Sequence, residues 1–469
     1  MKKGLIVIGP FVHALDKLSA KCLRYCSKGA IIVGNDGTIE RVLDMKQNDD
    51  SALLETQWKE YDRITLKPSQ IVIPGMIDTH AHAPQYFNCG LGLDMPLLEW
   101  LNTYTFPVES KFKDLQIAIR VYTSCVRRSL MNGTTTSVYF GTIHNDATIL
   151  LAKIIEEIGQ RAYVGKVSMD RFAPEYYCEE THQGIDDVRK FMEQMKHFNM
   201  VKPILTPRFA VSCSEEMMKG LAEIYNEYND VPIQSHISEN TGEVKLVSEL
   251  FPSNTSYAEV YDKVGLLNEK TILAHGVYLT DSEIELIKER RSTIAHCPLS
   301  NFSLCSGVLN VRKLINRGVK VSMGTDISGG YSSSMFNSIR NTLIATASAS
   351  TDHIRNETDA TEDTVPITID EAFYIATVGG AEALNIESKV GNFVEGKSFD
   401  ALIIDVDVKE GSIDSFNDLY SDVFTSVPAH EMEEKKLKEN FSRFIFNGDD
   451  RNISKVFVQG RDVTLNLRD

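Results

Sequence analysis

The stretch Ile71-Val72-Ile73-Pro74-Gly75-Met76-Ile77, continuing into Asp78-Thr79-His80-Ala81-His82, decides how this chain is read. Ile71–Ile77 is short, apolar and bounded, as expected of a strand buried on both faces. It leads into two histidines two residues apart. Alternate residues of a strand share a face, so both imidazoles project together at the strand's C-terminal tip. Outward from this strand, β-rich runs alternate with helical stretches between residues 72 and 385. A helical segment covers Glu109–Asn132, followed by a strand at Thr134–Tyr139 and a helix near Ala147–Ile158. Arg161–Val167 and Val201–Thr206 read as strands three and four, with an amphipathic helix between them and another near Ser214–Asn229. Val231–Ser235, Thr271–Ala274, Ser292–Ala295 and Val319–Met323 supply strands five to eight. Alternation of this kind implies parallel strands joined by crossover helices. Eight such units over about 310 residues match the count and length of a (β/α)8 TIM barrel, so the predicted fold class is α/β.

Barrels of this type build their sites at the C-terminal ends of the strands. His236 ends the fifth predicted strand, His275 the sixth, His296 the seventh and Asp326 the eighth. With His80 and His82, five of the 11 histidines fall at one mouth. A lone buried histidine is more often a hydrogen-bonded core residue than a ligand. Five converging beside a carboxylate favour a metal site.

The two ends, 1–72 and 389–469, have a different texture. Ile31-Ile32-Val33, then Asn35-Asp36-Gly37 before Ile39, is hairpin chemistry. Ala401–Ile404 and Val456–Val463, the latter around Gly460, are similar. Neither end makes a comfortable core alone, so the two are predicted to pair into one small β-sandwich beside a barrel spanning 73–388. The acidic stretch Asp352–Asp363 reads as solvated surface, and Glu431–Asn440, with its blocks of Glu and Lys, as an exposed helix.

The 469 residues carry a formal net charge of −16, which repels phosphate backbones and argues against a nucleic-acid partner while leaving a free, neutral nucleobase acceptable. No apolar run reaches the about 18 residues that a membrane span needs. The eight cysteines include no CxxC pair and read as free thiols in a reducing cytosol. The apolar start is interrupted by Pro10, His13, Asp16 and Lys17, so a secretory signal is not expected and the cytoplasm is favoured.

Pro74-Gly75-Met76-Ile77-Asp78-Thr79-His80-Ala81-His82 resembles the opening motif of the amidohydrolase superfamily. Within it, Pro96-Leu97-Leu98-Glu99-Trp100-Leu101, Thr105-Phe106-Pro107, Asn132-Gly133-Thr134-Thr135-Thr136, Thr206-Pro207-Arg208-Phe209, Gln234-Ser235-His236-Ile237-Ser238-Glu239-Asn240 and Gly324-Thr325-Asp326 resemble the guanine deaminase family. Gly391-Asn392-Phe393 and Gly448-Asp449-Asp450-Arg451-Asn452 extend the likeness almost to the end. HxH and Gly-Thr-Asp specify only the superfamily; Thr-Pro-Arg-Phe and Pro-Leu-Leu-Glu-Trp-Leu narrow it. The charged segment Pro428–Arg443 departs from the pattern by being longer.

The resemblance implies that His80, His82, His236 and Asp326 bind one Zn²⁺ per chain, with iron a credible substitute. Two-metal relatives bridge their ions with a lysine at the tip of strand four; Thr206-Pro207-Arg208-Phe209 has none. A zinc ion makes water a nucleophile at neutral pH. Asp326 is expected to accept that water's proton, His275 to hold the nucleophile in line, and Glu239 to shuttle a proton to the ring and to departing ammonia. Gln85 reads as a contact along a purine edge, Arg208 as a donor to O6 of guanine and Phe209 as packing on the ring. His236 and Glu239 also border the substrate. His296 reads as a residue behind the ligands or in the pocket rather than as a ligand, and His144 as a loop cap. The H-x-E and P-C-x-x-C signature of the other deaminase scaffold is absent. The implied activity is hydrolysis of guanine to xanthine and ammonia by a homodimer. A relative acting on cytosine, an adenosine-type nucleoside or a triazine stays open, as does a non-catalytic scaffold on the same fold.

Overall fold

The structure, a computed structural model, describes residues 3–46, 51–228, 231–351, 359–424 and 428–467. Five strands come first: β1 (Leu5–Ala14), β2 (Leu23–Val33), β3 (Ile39–Asp44), β4 (Asp62–Thr65) and β5 (Gln70–Pro74). Ten short ones follow: β6 (Met76–His82), β7 (Thr134–Phe140), β8 (Arg161–Gly165), β9 (Val167–Ser168), β10 (Val201–Pro203), β11 (Thr206–Pro207), β12 (Ile233–Ile237), β13 (Thr271–His275), β14 (Thr293–His296) and β15 (Lys320–Met323). The chain closes with β16 (Ala401–Asp405), β17 (Ile453–Val458) and β18 (Arg461–Asp462).

The middle strands are parallel and separated by helices, as the alternation predicted. They form a four-stranded sheet in the order β10-β8-β7-β6, a β11-β9 pair, and a second four-stranded sheet β12-β13-β14-β15. Backbone bonds link the two larger sheets at both edges. On one side Leu205 donates to Pro232 O at 2.9 Å and Gln234 to Leu205 O at 2.8 Å; on the other Asp326 donates to His80 O and His82 to Ile327 O, both at 2.8 Å. Several of the helices between the strands start on a side-chain cap. Asp114 accepts from the Gln116 amide at the head of Leu115–Met131, and Ser214 from Met217 at the head of Glu215–Glu227.

Both chain ends enter one mixed eight-stranded sheet, ordered β18-β17-β16-β5-β1-β2-β3 with β4 beside β1. The ends therefore pair, and they do so as one continuous sheet. Successive residues of β1 and β2 bury opposite faces. Val7 and Ile31 join Phe399, Ile403 and Phe457 on one side, while Ile6 and Ile32 pack on Leu54 and Trp58 on the other.

Three expectations are corrected. Ile71–Ile77 is two strands, because the chain changes sheets at Gly75: β5 pairs with β16 and β6 with β7. Gly75 donates to Asp400 O at 3.0 Å, and a Cβ there would lie 2.1 Å from Thr135 Oγ1. Strands three and four are likewise each broken in two, β8/β9 and β10/β11. Glu431–Asn440 belongs to a helix, Ala429–Asn447, that is exposed on one side only: Leu437, Asn440, Phe441 and Phe444 are buried, with the Phe444 ring edge-on to Phe336 at 4.8 Å. Most of the acidic stretch Asp352–Asp363 lies outside the described residues, as does Asn229, the end of the helix predicted near Ser214–Asn229. All eight cysteines are free thiols, and among the described residues no helix is long and apolar enough to cross a membrane.

Candidate active site

Strand β6 delivers His80 and His82 to the mouth from one face, and both are buried. Asp78, two residues earlier on the same face, fixes the strand tip. Its Oδ2 accepts the Thr325 hydroxyl at 2.5 Å, and its Oδ1 accepts the backbone amides of Thr325 at 3.1 Å and His80 at 3.2 Å. Asp326 follows Thr325 with a left-handed backbone, φ 47°, a conformation that a side chain tolerates only when its surroundings hold it. Here its amide donates to His80 O and its carbonyl accepts from Gly330 at 2.7 Å.

The donor atoms converge. His80 Nε2 stands 3.2 Å from Asp326 Oδ1, and His82 Nε2 is 3.4 Å from the same oxygen. His82 Nε2 lies 3.2 Å from His236 Nε2. The Arg208 carbonyl sits 2.6 Å from His236 Nδ1; a carbonyl only accepts, so that nitrogen carries the proton and Nε2 keeps its lone pair. One potential ligand atom from each of His80, His82 and His236 falls within 4.8 Å of the others, and the same holds for His80, His275 and Asp326.

Burial pushes the His82 and His236 imidazoles well below the usual histidine range, with His80 adding to the effect, and burial lowers His80 too. Burial thus works against the charged form of each imidazole and favours the form that can offer a lone pair to an ion. Burial opposes the charge of Asp326, but the adjacent His80 imidazole holds its carboxyl down to about 2. His80 Nε2 is buried without a hydrogen-bond partner, a costly arrangement that a bound cation relieves. Three imidazole nitrogens and one carboxylate oxygen suit a borderline divalent metal.

Glu239 and His275 flank this cluster. Glu239 Oε2 is 3.5 Å from His275 Nε2, which in turn is 3.8 Å from Asp326 Oδ2. Glu239 is buried rather than a surface glutamate, and its position is set from behind: its amide donates to Glu243 Oε2 at 2.7 Å, and Tyr257 donates to Glu243 Oε1 at 2.8 Å. Burial pushes the Glu239 carboxyl well above its ordinary range, and the charge of Asp326 pushes it further. The His275 ring is held by Asn301 Oδ1, 2.9 Å from Nδ1, on a left-handed backbone of φ 76°.

These groups open into a cleft at the same end of the strands. Of the residues expected from the sequence to hold the metal, act in catalysis or touch the substrate, all but the buried His80 line it. Leu97, Trp100 and Leu101 form an apolar wall opposite the histidines. Gln85 and Arg208 meet on a residue that the sequence reading passed over. Glu109 accepts Gln85 Nε2 at 2.9 Å, Arg208 Nη1 and Nη2 at 2.6 and 3.1 Å, and the Tyr177 hydroxyl at 2.8 Å. Arg208 is therefore no surface ion pair. Burial works against its charge, but Glu109 keeps the guanidinium firmly protonated. His296 is buried and does not line the cleft. His144 precedes helix Asn145–Ile158, but its side chain makes no capping bond; its ring packs 5.7 Å from that of Tyr177.

The amidohydrolase family profile matches residues 71–463. The chain belongs to the amidohydrolase family. It is 42% identical to the guanine deaminase of Dictyostelium discoideum over 97% of each chain. It is 41% identical to that of Homo sapiens, over 97% of this chain and 95% of the other. A crystal structure of guanine deaminase from C. acetobutylicum with bound guanine in the active site superposes with a TM-score of 0.82 at 36% identity, covering 98% of this chain and 100% of that one.

The residues that could hold a metal sit at or just past strand tips far apart in the sequence, several of them inside the HxH and Gly-Thr-Asp runs. Asp78 and Thr325 lie inside those same runs; the missed signal was that one carboxylate ties the two motifs together. Glu109 gave no such signal, since Gln85, Tyr177 and Arg208 reach it from three separate segments.

Proposed function

We propose that this amidohydrolase converts guanine and water to xanthine and ammonia at a single-metal site. One observation carries the reading: His82, His236 and Asp326, clustered with the buried His80, line the same cleft as Gln85 and Arg208, donors and acceptors suited to a purine edge. His80, His82, His236 and Asp326 would hold the ion, zinc by the chemistry of the donor set, with iron an acceptable substitute. When bound, the ion supplies Lewis acidity that makes water a nucleophile at neutral pH.

The chain's own residues do the rest. The Arg208 guanidinium donates to the O6 carbonyl, Gln85 pairs along the adjacent edge, and Phe209 packs on the base, which presents C2 to the cluster. Asp326 accepts the proton released as water adds to C2. His275, its Nδ1 tied to Asn301, hydrogen-bonds the incoming oxygen. Glu239, protonated in its buried setting, gives a proton to the ring nitrogen, recovers one from the adding water, and passes it to the exocyclic nitrogen as the C2–N bond breaks and ammonia leaves; the proton held by Asp326 then returns to Glu239 and restores both groups. Thr206-Pro207-Arg208-Phe209 offers no bridging lysine, which supports one metal rather than two.

We further propose that the two parallel sheets form a closed barrel over 73–388, that the continuous sheet built from 1–72 and 389–469 curls over itself as a small β-sandwich beside it, and that the enzyme works as a homodimer in the cytoplasm. Ammonia release from a panel of guanine, adenine, cytosine, adenosine and a triazine tests the substrate. Guanine is expected to be preferred, and preference for any other compound overturns the assignment.

A further inference from the structure

Glu109 is fully buried at the back of the cleft with four donors on its two oxygens: Gln85 Nε2 and Arg208 Nη2 on Oε1, Tyr177 Oη and Arg208 Nη1 on Oε2. The Arg208 guanidinium also lies over the Phe106 ring, 5.3 Å from its centroid. We infer that Glu109 is the positioning residue that sets the specificity of the cleft, orienting Gln85 and Arg208 so that the pocket selects a purine with an oxygen at C6. This rests on the functional reading above and deepens it.

The argument is one of hydrogen-bond polarity. An ionised carboxylate only accepts. With Glu109 on one side, the Gln85 amide cannot turn over without setting its oxygen against a carboxylate oxygen. Its nitrogen is committed to Glu109, and its oxygen is left to take a donor, at present only the Ser328 amide at a long 3.4 Å. A base that carries N–H next to a carbonyl supplies that donor. The same carboxylate holds Arg208 end-on and in plane, using two of its five N–H groups and leaving three for an acceptor such as O6. The Arg208–Glu109 pair is also neutral overall, which suits an uncharged base. A purine with an amino group at C6 would set N–H against N–H at Arg208 and leave buried donors unpaired, the situation that gives a pocket its strongest rejection.

The test compares guanine with 2,6-diaminopurine, which keeps the reacting 2-amino group and replaces O6 with an amine. In Glu109→Gln the new amide cannot accept from both Arg208 nitrogens and Gln85 at once. We expect metal content unchanged, kcat/KM for guanine lowered by about 10²-fold chiefly through KM, and the guanine-to-diaminopurine ratio reduced by at least about 10-fold. Glu109→Asp, which keeps the charge, should recover part of that ratio. A purely structural role would lower both substrates together and leave KM and the ratio unmoved; that result overturns the inference. Should Glu109→Gln yield no folded protein, Tyr177→Phe removes one donor from Glu109 and leaves Arg208 in place. It is expected to raise KM for guanine and lower the ratio several-fold, and no change in either is equally fatal. An unaltered protein that does not turn over guanine would instead sink the functional reading, and this inference with it.

Discussion

The backbone amide of Asp326 donates to the carbonyl oxygen of His80 at 2.8 Å, so the carboxylate and an imidazole that face the same point are joined through the main chain. The Asp78–Thr325 contact doubles that link through side chains. Two motifs far apart in sequence are thus one rigid unit, and pre-set ligands bind a cation without first paying to be ordered.

Removing the second link should loosen the first. Thr325→Val deletes the hydroxyl donor to buried Asp78, and we expect a loss of about 1–3 kcal/mol in stability together with weaker metal retention. Denaturant unfolding and metal content after dialysis measure both; unchanged values for the two would show that the contact is incidental.

Glu239→Gln keeps the shape of the side chain and removes its proton. Metal content should match that of the unaltered protein, while guanine turnover falls by on the order of 10² or more. Near-normal turnover would take Glu239 out of its role.

His13 offers a pH test remote from the site. It is buried, and its ring packs 5.7 Å from those of Phe11 and Phe393. Burial, helped by Arg24, lowers its pKa to about 4. Between that value and the ordinary histidine pKa of about 6.5 the unfolded chain binds a proton that the folded chain refuses, so stability falls as pH drops through this window. His13→Leu should therefore lose about 2 kcal/mol less than the unaltered protein between pH 7 and pH 5. Parallel stability curves for the two proteins would contradict this.

Gly75→Ala places a methyl against Thr135 at the point where the chain leaves one sheet for the other. A loss of about 1–3 kcal/mol is expected by thermal or denaturant unfolding, and a neutral effect would mean that the crossing has more room than it shows.

Gly75 also marks where sequence reading stopped working. Ile71–Ile77 reads as one apolar strand because both halves are buried, and periodicity carries no mark of a change of partner. The parallel strands of the middle of the chain were legible because helices separate them, and His80, His82, His236, His275 and Asp326 because their positions at or just past strand ends put them together. Helix Ala429–Asn447 was half legible: its charges announce the wet side, while Leu437, Phe441 and Phe444 bury the other. Glu109 was not legible at all, since a buried carboxylate is defined by what folds onto it.

The most direct test of the account is guanine-to-xanthine absorbance measured on one preparation before and after metal removal, alongside elemental analysis. The account predicts about one divalent metal per chain, loss of turnover on chelation, and recovery when zinc is returned. Turnover that persists in metal-free protein would contradict it.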